Sequence, residues 1–154
     1  NNACFHLNIP PTREGLFDPR DVQRLREFGE LLRREFGTPL PATVEQVPYC
    51  PPTQAQYTVT FPQPRSDVRY VVLQEDIAQG QRIESFRITG DFASGRQYVL
   101  YQGTCVGNKH ICRLQDPFAG QNPLTIDSNP NICQLTVHVT AARDEVHMKN
   151  IQVF

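Results

Sequence analysis

Lysine is scarce in this sequence, and no clustered basic surface can be built from it. Lys109 and Lys149 are the only lysines among 15 basic residues, and the dispersed acids and bases give a formal net charge of −1. A nucleic-acid-binding surface needs a basic cluster, so none is expected. No apolar run approaches the roughly 20 residues that span a bilayer, and the N-terminal "NNACFHL" lacks the charged-then-apolar layout of a signal peptide. No N-x-Ser/Thr sequon occurs, so N-glycosylation is not expected.

Cysteine, by contrast, is abundant for a chain of this length. None of Cys4, Cys50, Cys105, Cys112 and Cys133 forms the C-x-x-C pair of zinc or redox sites. Their number favours an oxidising location, either secreted and extracellular or lysosome-like. Cys50 and Cys133 both lie in proline-flanked loops and are predicted to bridge, which leaves Cys4 for a bond to another chain.

The segment "CVGNKHIC" predicts a disulfide-closed hairpin. A two-residue turn at Asn108-Lys109 would set Cys105 directly opposite Cys112. His110 stands between the two cysteines, but the spacing fits no common zinc pattern. We therefore expect a Cys105–Cys112 bridge here, and no metal or cofactor.

Residues 18 to 36 predict one amphipathic helix. Asp18 is a good N-cap, Pro19 takes the first helical position, and Gly37 at C′ marks the end. The other faces carry arginines and glutamates, which predict a solvated surface with salt bridges. Apolar residues recur at spacings of three and four and form one stripe: Val22, Leu25, Phe28, Leu32 and Phe36.

The sequence changes character on either side of a proline-rich segment. Residues 1–37 hold a compact apolar strand-like run and the helix, and residues 38–54, with five prolines, predict a linker. Residues 55–154 contain short segments rich in β-branched and aromatic residues, and apolar and polar residues alternate in "LTVHV" (135–139). About seven strands are expected, enough for an antiparallel β-sandwich of the galactose-binding or jelly-roll type.

Two stretches together resemble the α-L-fucosidase family of retaining glycoside hydrolases. "LNIPPTREGLFDPRDVQRLREFGELLRREFG" resembles the end of that family's catalytic barrel, where the last strand leads to a proline pair and a helix. "VLQEDIAQGQRIESFRI" followed by "YQGTCVGNKHICRL" resembles its C-terminal β-sandwich. The resemblance covers nearly the whole chain, and it implies that residues 1–37 are the last strand and helix of a barrel.

The resemblance implies no catalytic residue in this chain. The family's aspartate nucleophile and carboxylic general acid lie on barrel elements that precede this region, and no position here matches their motifs. Retaining hydrolysis needs two carboxyl groups about 5 to 5.5 Å apart. The carboxylates that could be proposed lie beside the helix start or a sandwich turn, where such residues serve as caps and turns: Glu14, Asp18, Asp21, Glu75 and Asp76. We expect no fucoside hydrolysis by the chain alone.

A carbohydrate site is predicted in "DFASGRQYVLY". Sugar binding needs an aromatic platform with a few polar groups, and Phe92, Arg96, Tyr98 and Tyr101 are the candidates. Alternating aromatics on a strand are also typical of a sandwich core, so both interpretations stay open.

Three functions follow from these features. The first is a non-catalytic accessory region or processed subunit of an α-L-fucosidase-like protein that packs on a barrel, binds glycan, or does both. The alternatives are a free-standing lectin-like module and a structural component of an extracellular assembly. Phe5, Leu7 and Ile9, with the helix stripe, are expected to be covered by a barrel-bearing partner chain, by a homo-oligomer linked through Cys4, or by a local rearrangement of residues 1–12.

Overall fold

The computed structural model describes residues 7–48, 50–115 and 131–154, and the chain divides into two compact units. The described residues up to Pro39 form the helix unit, and Leu40–Phe154 form the sandwich unit. The boundary falls at the start of the segment that the sequence predicts to be a linker.

The helix unit contains α1, Pro19–Phe36, as predicted. The Asp18 side chain accepts a hydrogen bond from the backbone N–H of Arg20 at 2.8 Å and also binds its guanidinium group, which caps the first turn. The helix ends just before Gly37, as predicted, but Gly37 does not take the left-handed conformation that is usual for a C′ glycine. Gly37 has a right-handed backbone (φ −72°), and a Cβ there would collide with the carbonyl oxygen of Arg33. Close backbone approach, and not a left-handed C′ conformation, requires glycine here.

In the sandwich unit, the described residues form two antiparallel sheets. The larger sheet has five strands in the order β1-β2-β7-β4-β5, and the smaller has three in the order β6-β3-β8. The strands are β1 Thr43–Gln46, β2 Ala55–Arg65, β3 Tyr70–Glu75, β4 Ile83–Phe92, β5 Gln97–Gly103, β6 His110–Arg113, β7 Ile132–Ala142 and β8 Met148–Val153. The prediction of a mainly β, antiparallel two-sheet fold preceded by a helix is confirmed, whereas residues 7–9, the described end of the predicted barrel strand, are not in a strand.

The segment predicted to be a linker, residues 38–54, is partly a strand. β1 pairs with β2, with Val44 opposite Val59 and Glu45 opposite Thr58. All four β1 residues are exposed, so the strand has no inward-facing alternation that a sequence pattern could reveal. It forms because the free edge of β2 offers unpaired backbone groups.

The predicted hairpin at Cys105 and Cys112 is wrong. β5 and β6 lie in different sheets, so the chain between them crosses the sandwich instead of turning back on itself. Cys112 lies on β6 opposite Val71 of β3, and Cys105 precedes that strand. A turn motif at Asn108 does not by itself determine which strands pair, because β5 pairs with β4 and β6 pairs with β3.

Side chains from alternate strand positions fill the core between the sheets. Leu135, Val137 and Val139 of β7 are fully buried, which confirms the alternation read from "LTVHV". Val71 and Leu73 of β3 are equally buried on the smaller sheet. This continuous core fixes the positions of the loops and edge strands on which the polar sites lie.

Candidate functional site

The helix unit exposes an apolar surface along α1. Val22 is 38% exposed, Leu25 36%, Phe28 47% and Leu32 43%, and no residue of the helix is buried. We call these four side chains the α1 apolar surface. Amphipathic helices in folded domains normally bury such a stripe, so an apolar surface left this exposed is unusual.

A groove of about 310 Å³ continues this surface within the helix unit. It lies between α1 and residues 7–10, and its walls are mostly apolar: Leu7, Ile9, Pro10, Leu25 and Phe28, with Asn8, Asp21 and Arg24 at the polar positions. Leu7 is 55% exposed. The groove and the α1 apolar surface therefore form one exposed, mostly apolar area of the helix unit.

The opposite face of α1 is solvated, as predicted. There Glu27 accepts a hydrogen bond from Gln23 at 2.9 Å, and it also pairs at 2.6 Å with Arg24, which reaches it from the edge of the groove. Hydrogen bonds from Gln23 and Arg24 lower the pKa of Glu27. These exposed contacts keep one face in water and leave the apolar face as the surface for packing.

Glu75 is a buried carboxylate whose partners are backbone amides. The residue is 1% exposed, and its Oε1 accepts hydrogen bonds from the backbone N–H groups of Arg82 at 2.6 Å and Ile83 at 2.9 Å. Its Oε2 accepts one from Gly107 at 3.0 Å. Neighbouring Asp76 accepts a hydrogen bond from the N–H of Ala78 at 3.0 Å. Both carboxylates therefore hold turns, the structural role predicted for them.

Two of the predicted sugar-binding residues form a packed aromatic pair. Phe92 is 5% exposed, and its ring meets that of Tyr98 edge to face with centroids 5.3 Å apart. Arg96 is exposed in the turn between β4 and β5, where its carbonyl accepts the N–H of Phe92 at 2.8 Å. Phe92 serves the core, so its face is not available as a platform for a sugar.

Tyr101 belongs to a different group that joins the two sheets. Its ring stacks on Phe86 at 5.8 Å, and its hydroxyl lies 2.8 Å from Nε2 of His110 on the smaller sheet. Nδ1 of His110 lies 2.7 Å from the carbonyl oxygen of Cys105, which can only accept. Nδ1 must therefore carry a proton, and in that tautomer of the ring Nε2 accepts from the Tyr101 hydroxyl. This link was not foreseen, because β5 and β6 were expected to form a hairpin.

Neither predicted disulfide is formed within the described residues. No bond joins Cys105 to Cys112 or Cys50 to Cys133. Cys112 is fully buried, and burial raises the pKa of its thiol to about 12. Cys50 donates a weak hydrogen bond to the carbonyl of Val47 at 3.7 Å. Cys4 lies outside the described residues, so its bond to another chain stays a prediction.

The described residues contain neither a metal-binding cluster nor a membrane-spanning helix. Among residues 7–48, 50–115 and 131–154, no three His, Cys, Asp or Glu side chains are grouped so that they could hold a metal ion. In the same part of the chain, no helix combines the length and apolar character that crossing a membrane requires.

Solved fucosidase structures share this fold. No family model and no curated protein matches the sequence. The GH29 fucosidase E1_10125 of Ruminococcus gnavus, solved with fucose, matches 99% of this chain with a TM-score of 0.78 and 22% identity, over 34% of its own chain. A putative α-L-fucosidase from Bacteroides ovatus matches 96% of this chain (TM-score 0.74, 23% identity) over 22% of its own. One from Bacteroides thetaiotaomicron matches 93% (TM-score 0.70, 22% identity) over 28%.

The matches support the predicted resemblance at the level of fold. They cover nearly all of this chain, and the chain spans only 22% to 34% of the length of these three proteins. The shared part is thus a portion of a larger fucosidase architecture.

Proposed function

We propose that this chain is the C-terminal accessory region, or a processed subunit, of an α-L-fucosidase-like protein and that it packs on a catalytic barrel. The observation that carries the proposal is the α1 apolar surface with its adjoining groove, which has the character of a half-interface. The proposal is also supported by the solved fucosidases, since the fold of this chain matches only about a third or less of each of their chains. The barrel would lie on the same polypeptide or on a separate one.

In this proposal the chain supplies no catalytic carboxylate. Retaining hydrolysis needs a carboxyl pair about 5 to 5.5 Å apart and open to the sugar. Glu75 is buried among amides, and Asp18 caps α1 and binds Arg20. Both carboxylates have structural hydrogen-bond partners, so the groups that recognise fucose and react with it would belong to the barrel.

The first test separates the chain from any barrel. Native material is analysed by intact mass without reduction and assayed with an aryl α-L-fucoside, and the 154-residue chain alone is assayed beside it. We expect turnover only where a barrel-bearing polypeptide is present. Turnover by the chain alone that is lost in Glu75→Gln or Asp18→Asn would overturn the structural assignment of these carboxylates. No turnover in either preparation would favour the lectin or assembly function.

The second test addresses the packing surface. Phe28→Glu and Gln23→Glu add the same charge to the same helix, on the apolar and the solvated face respectively. In the barrel-containing protein, Phe28→Glu should lower the stability of the packed state by about 2 kcal/mol or more, since it replaces a buried aromatic contact and buries a charge. Gln23→Glu exchanges the hydrogen bond to Glu27 for an exposed like-charge pair, which should cost only about 0.5 kcal/mol. Equal effects on thermal unfolding would mean that the barrel does not cover this face.

We also propose a secreted or lysosome-like location, which the number of cysteines supports. Peptide mapping without reduction tests it. A bonded pair among the cysteines supports an oxidising compartment, and five thiols in material prepared without reductant argue against one.

A further inference from the structure

A polar groove lies on the face of the larger sheet that points away from the core. Its volume is about 410 Å³, within the range of pockets that take small ligands. It crosses β4, β5 and one end of β7. The side chains that line it are hydroxyls, one amide and one guanidinium, above the backbone of Phe86 and Gly103: Ser85, Arg87, Gln102, Thr104 and Thr140.

Arg87 carries the charge in this groove. The strand register places it between Gln102 of β5 and His138 of β7 on the same face. Its guanidinium donates to Nδ1 of His138 at 3.3 Å. Within the described residues Arg87 has no carboxylate partner, it is exposed, and the hydrogen bond to His138 uses one of its five N–H donors. A guanidinium with donors to spare is suited to a carboxylate.

The contact with Arg87 also sets the state of His138. Because the guanidinium can only donate, Nδ1 of His138 is the acceptor and Nε2 carries the proton. Burial, and then the positive charge of Arg87, lower the pKa of His138. The imidazole is therefore neutral at pH 7, and its Nε2–H is a further donor on the residue next to Arg87.

Hydroxyl groups form the other wall. Ser85 Oγ and Thr140 Oγ1 lie 2.6 Å apart, so one of the two donates to the other and the acceptor keeps its own O–H for a further partner. Gln102 and Thr104 are exposed at the rim. Such groups, which both donate and accept, match the hydroxyls of a sugar ring, and no aromatic face is presented to a stacked ring because the Phe86 side chain is buried.

We propose that this groove binds a carboxylate-bearing saccharide, with Arg87 holding the carboxylate and Ser85, Gln102 and Thr140 holding ring hydroxyls. The site differs from the aromatic one predicted at Phe92–Tyr101, and it does not depend on packing of α1 against a barrel. It would let an accessory region hold an acidic glycan while a separate domain acts on it.

The test is a titration of the 154-residue chain with glucuronate. Binding is monitored by the NMR chemical shifts of the backbone amides. Glucose is the neutral control and inorganic sulfate the anion control. We expect shifts localised to residues 85–87, 102–104 and 138–140 with glucuronate. Arg87→Gln should weaken binding by about tenfold or more, since it removes a charge-assisted pair. Arg113→Gln, an exposed arginine on the other sheet, should leave it unchanged.

Each other result overturns the assignment in a distinct way. If glucose causes the same shifts as glucuronate, the groove does not recognise a carboxylate. If inorganic sulfate causes the same shifts, Arg87 binds anions in general and the groove does not recognise a saccharide. Tighter binding of glucose 6-sulfate than of glucuronate would replace the carboxylate by a sulfate ester. If glucuronate shifts the amides of residues 92–101 and still does so in Arg87→Gln, the saccharide binds at the aromatic segment and not in this groove.

Discussion

Replacing Glu75 tests whether one buried carboxylate holds the sandwich loops. Its two oxygens accept three backbone N–H groups, from Arg82, Ile83 and Gly107. The backbone N–H of Glu75 also donates to the carbonyl of Gly107 at 2.9 Å, so the residue fastens two loops to β3. Glu75→Ala removes the acceptors and leaves three amides near the core without partners.

The size of the effect follows from these contacts. A buried donor left without an acceptor costs about 1 to 3 kcal/mol, and hydrogen bonds to charged groups contribute about 1.5 to 3 kcal/mol each. Water entering the vacated space offsets part of the loss, so we expect Glu75→Ala to lower the free energy of unfolding by about 4 kcal/mol. Glu75→Gln keeps one acceptor oxygen but places its NH₂ group against a backbone N–H. We expect it to lower the free energy of unfolding by about 2 kcal/mol.

Urea unfolding followed by circular dichroism measures both variants. Glu84→Gln is the matched control, because Glu84 is exposed and pairs with Arg143 at 2.7 Å on the surface; we expect a change within about 0.5 kcal/mol. A loss below about 1 kcal/mol for Glu75→Ala, or one no larger than the control, would refute the structural role of this carboxylate.

Three further predictions concern packing and titration. Gly103→Ala should cost about 1 to 3 kcal/mol, since a Cβ there would lie 2.6 Å from two ring carbons of Phe86; a neutral result in chemical denaturation would show that the ring can move aside. The Cys112 thiol, buried and with a pKa raised to about 12, should react with a maleimide only as the protein unfolds, and rapid labelling of the native chain would contradict its burial. Burial and Arg87 lower the pKa of His138, so the stability that its neutral form contributes is present above about pH 6.5 and falls as the pH drops toward the folded-state pKa. Arg87→Gln should raise that pKa in an NMR titration, and an unchanged value would argue against the pair.

Features with a local physical cause could be predicted from the sequence. Asp18 and Pro19 mark the helix start because capping depends on neighbouring residues, and the stripe from Val22 to Phe36 follows from the helical period. The strand at 135–139 follows from the two-residue period in the same way. The apolar surface of α1 was therefore foreseeable.

The sequence by itself determined the helix, the strand character of residues 55–154, which side chains are apolar enough for the core, and the resemblance to the end of a fucosidase; it did not reveal β1. Only the tertiary structure decided that β5 and β6 belong to different sheets. Cys105 and Cys112 therefore do not face each other on a hairpin, and Tyr101 contacts His110 across the two sheets. It also decided that Arg87 lies beside His138, a residue 51 positions away. Strand pairing is settled by hydrogen bonds and core packing between segments distant in the chain, and no local pattern records which distant segment completes a given edge.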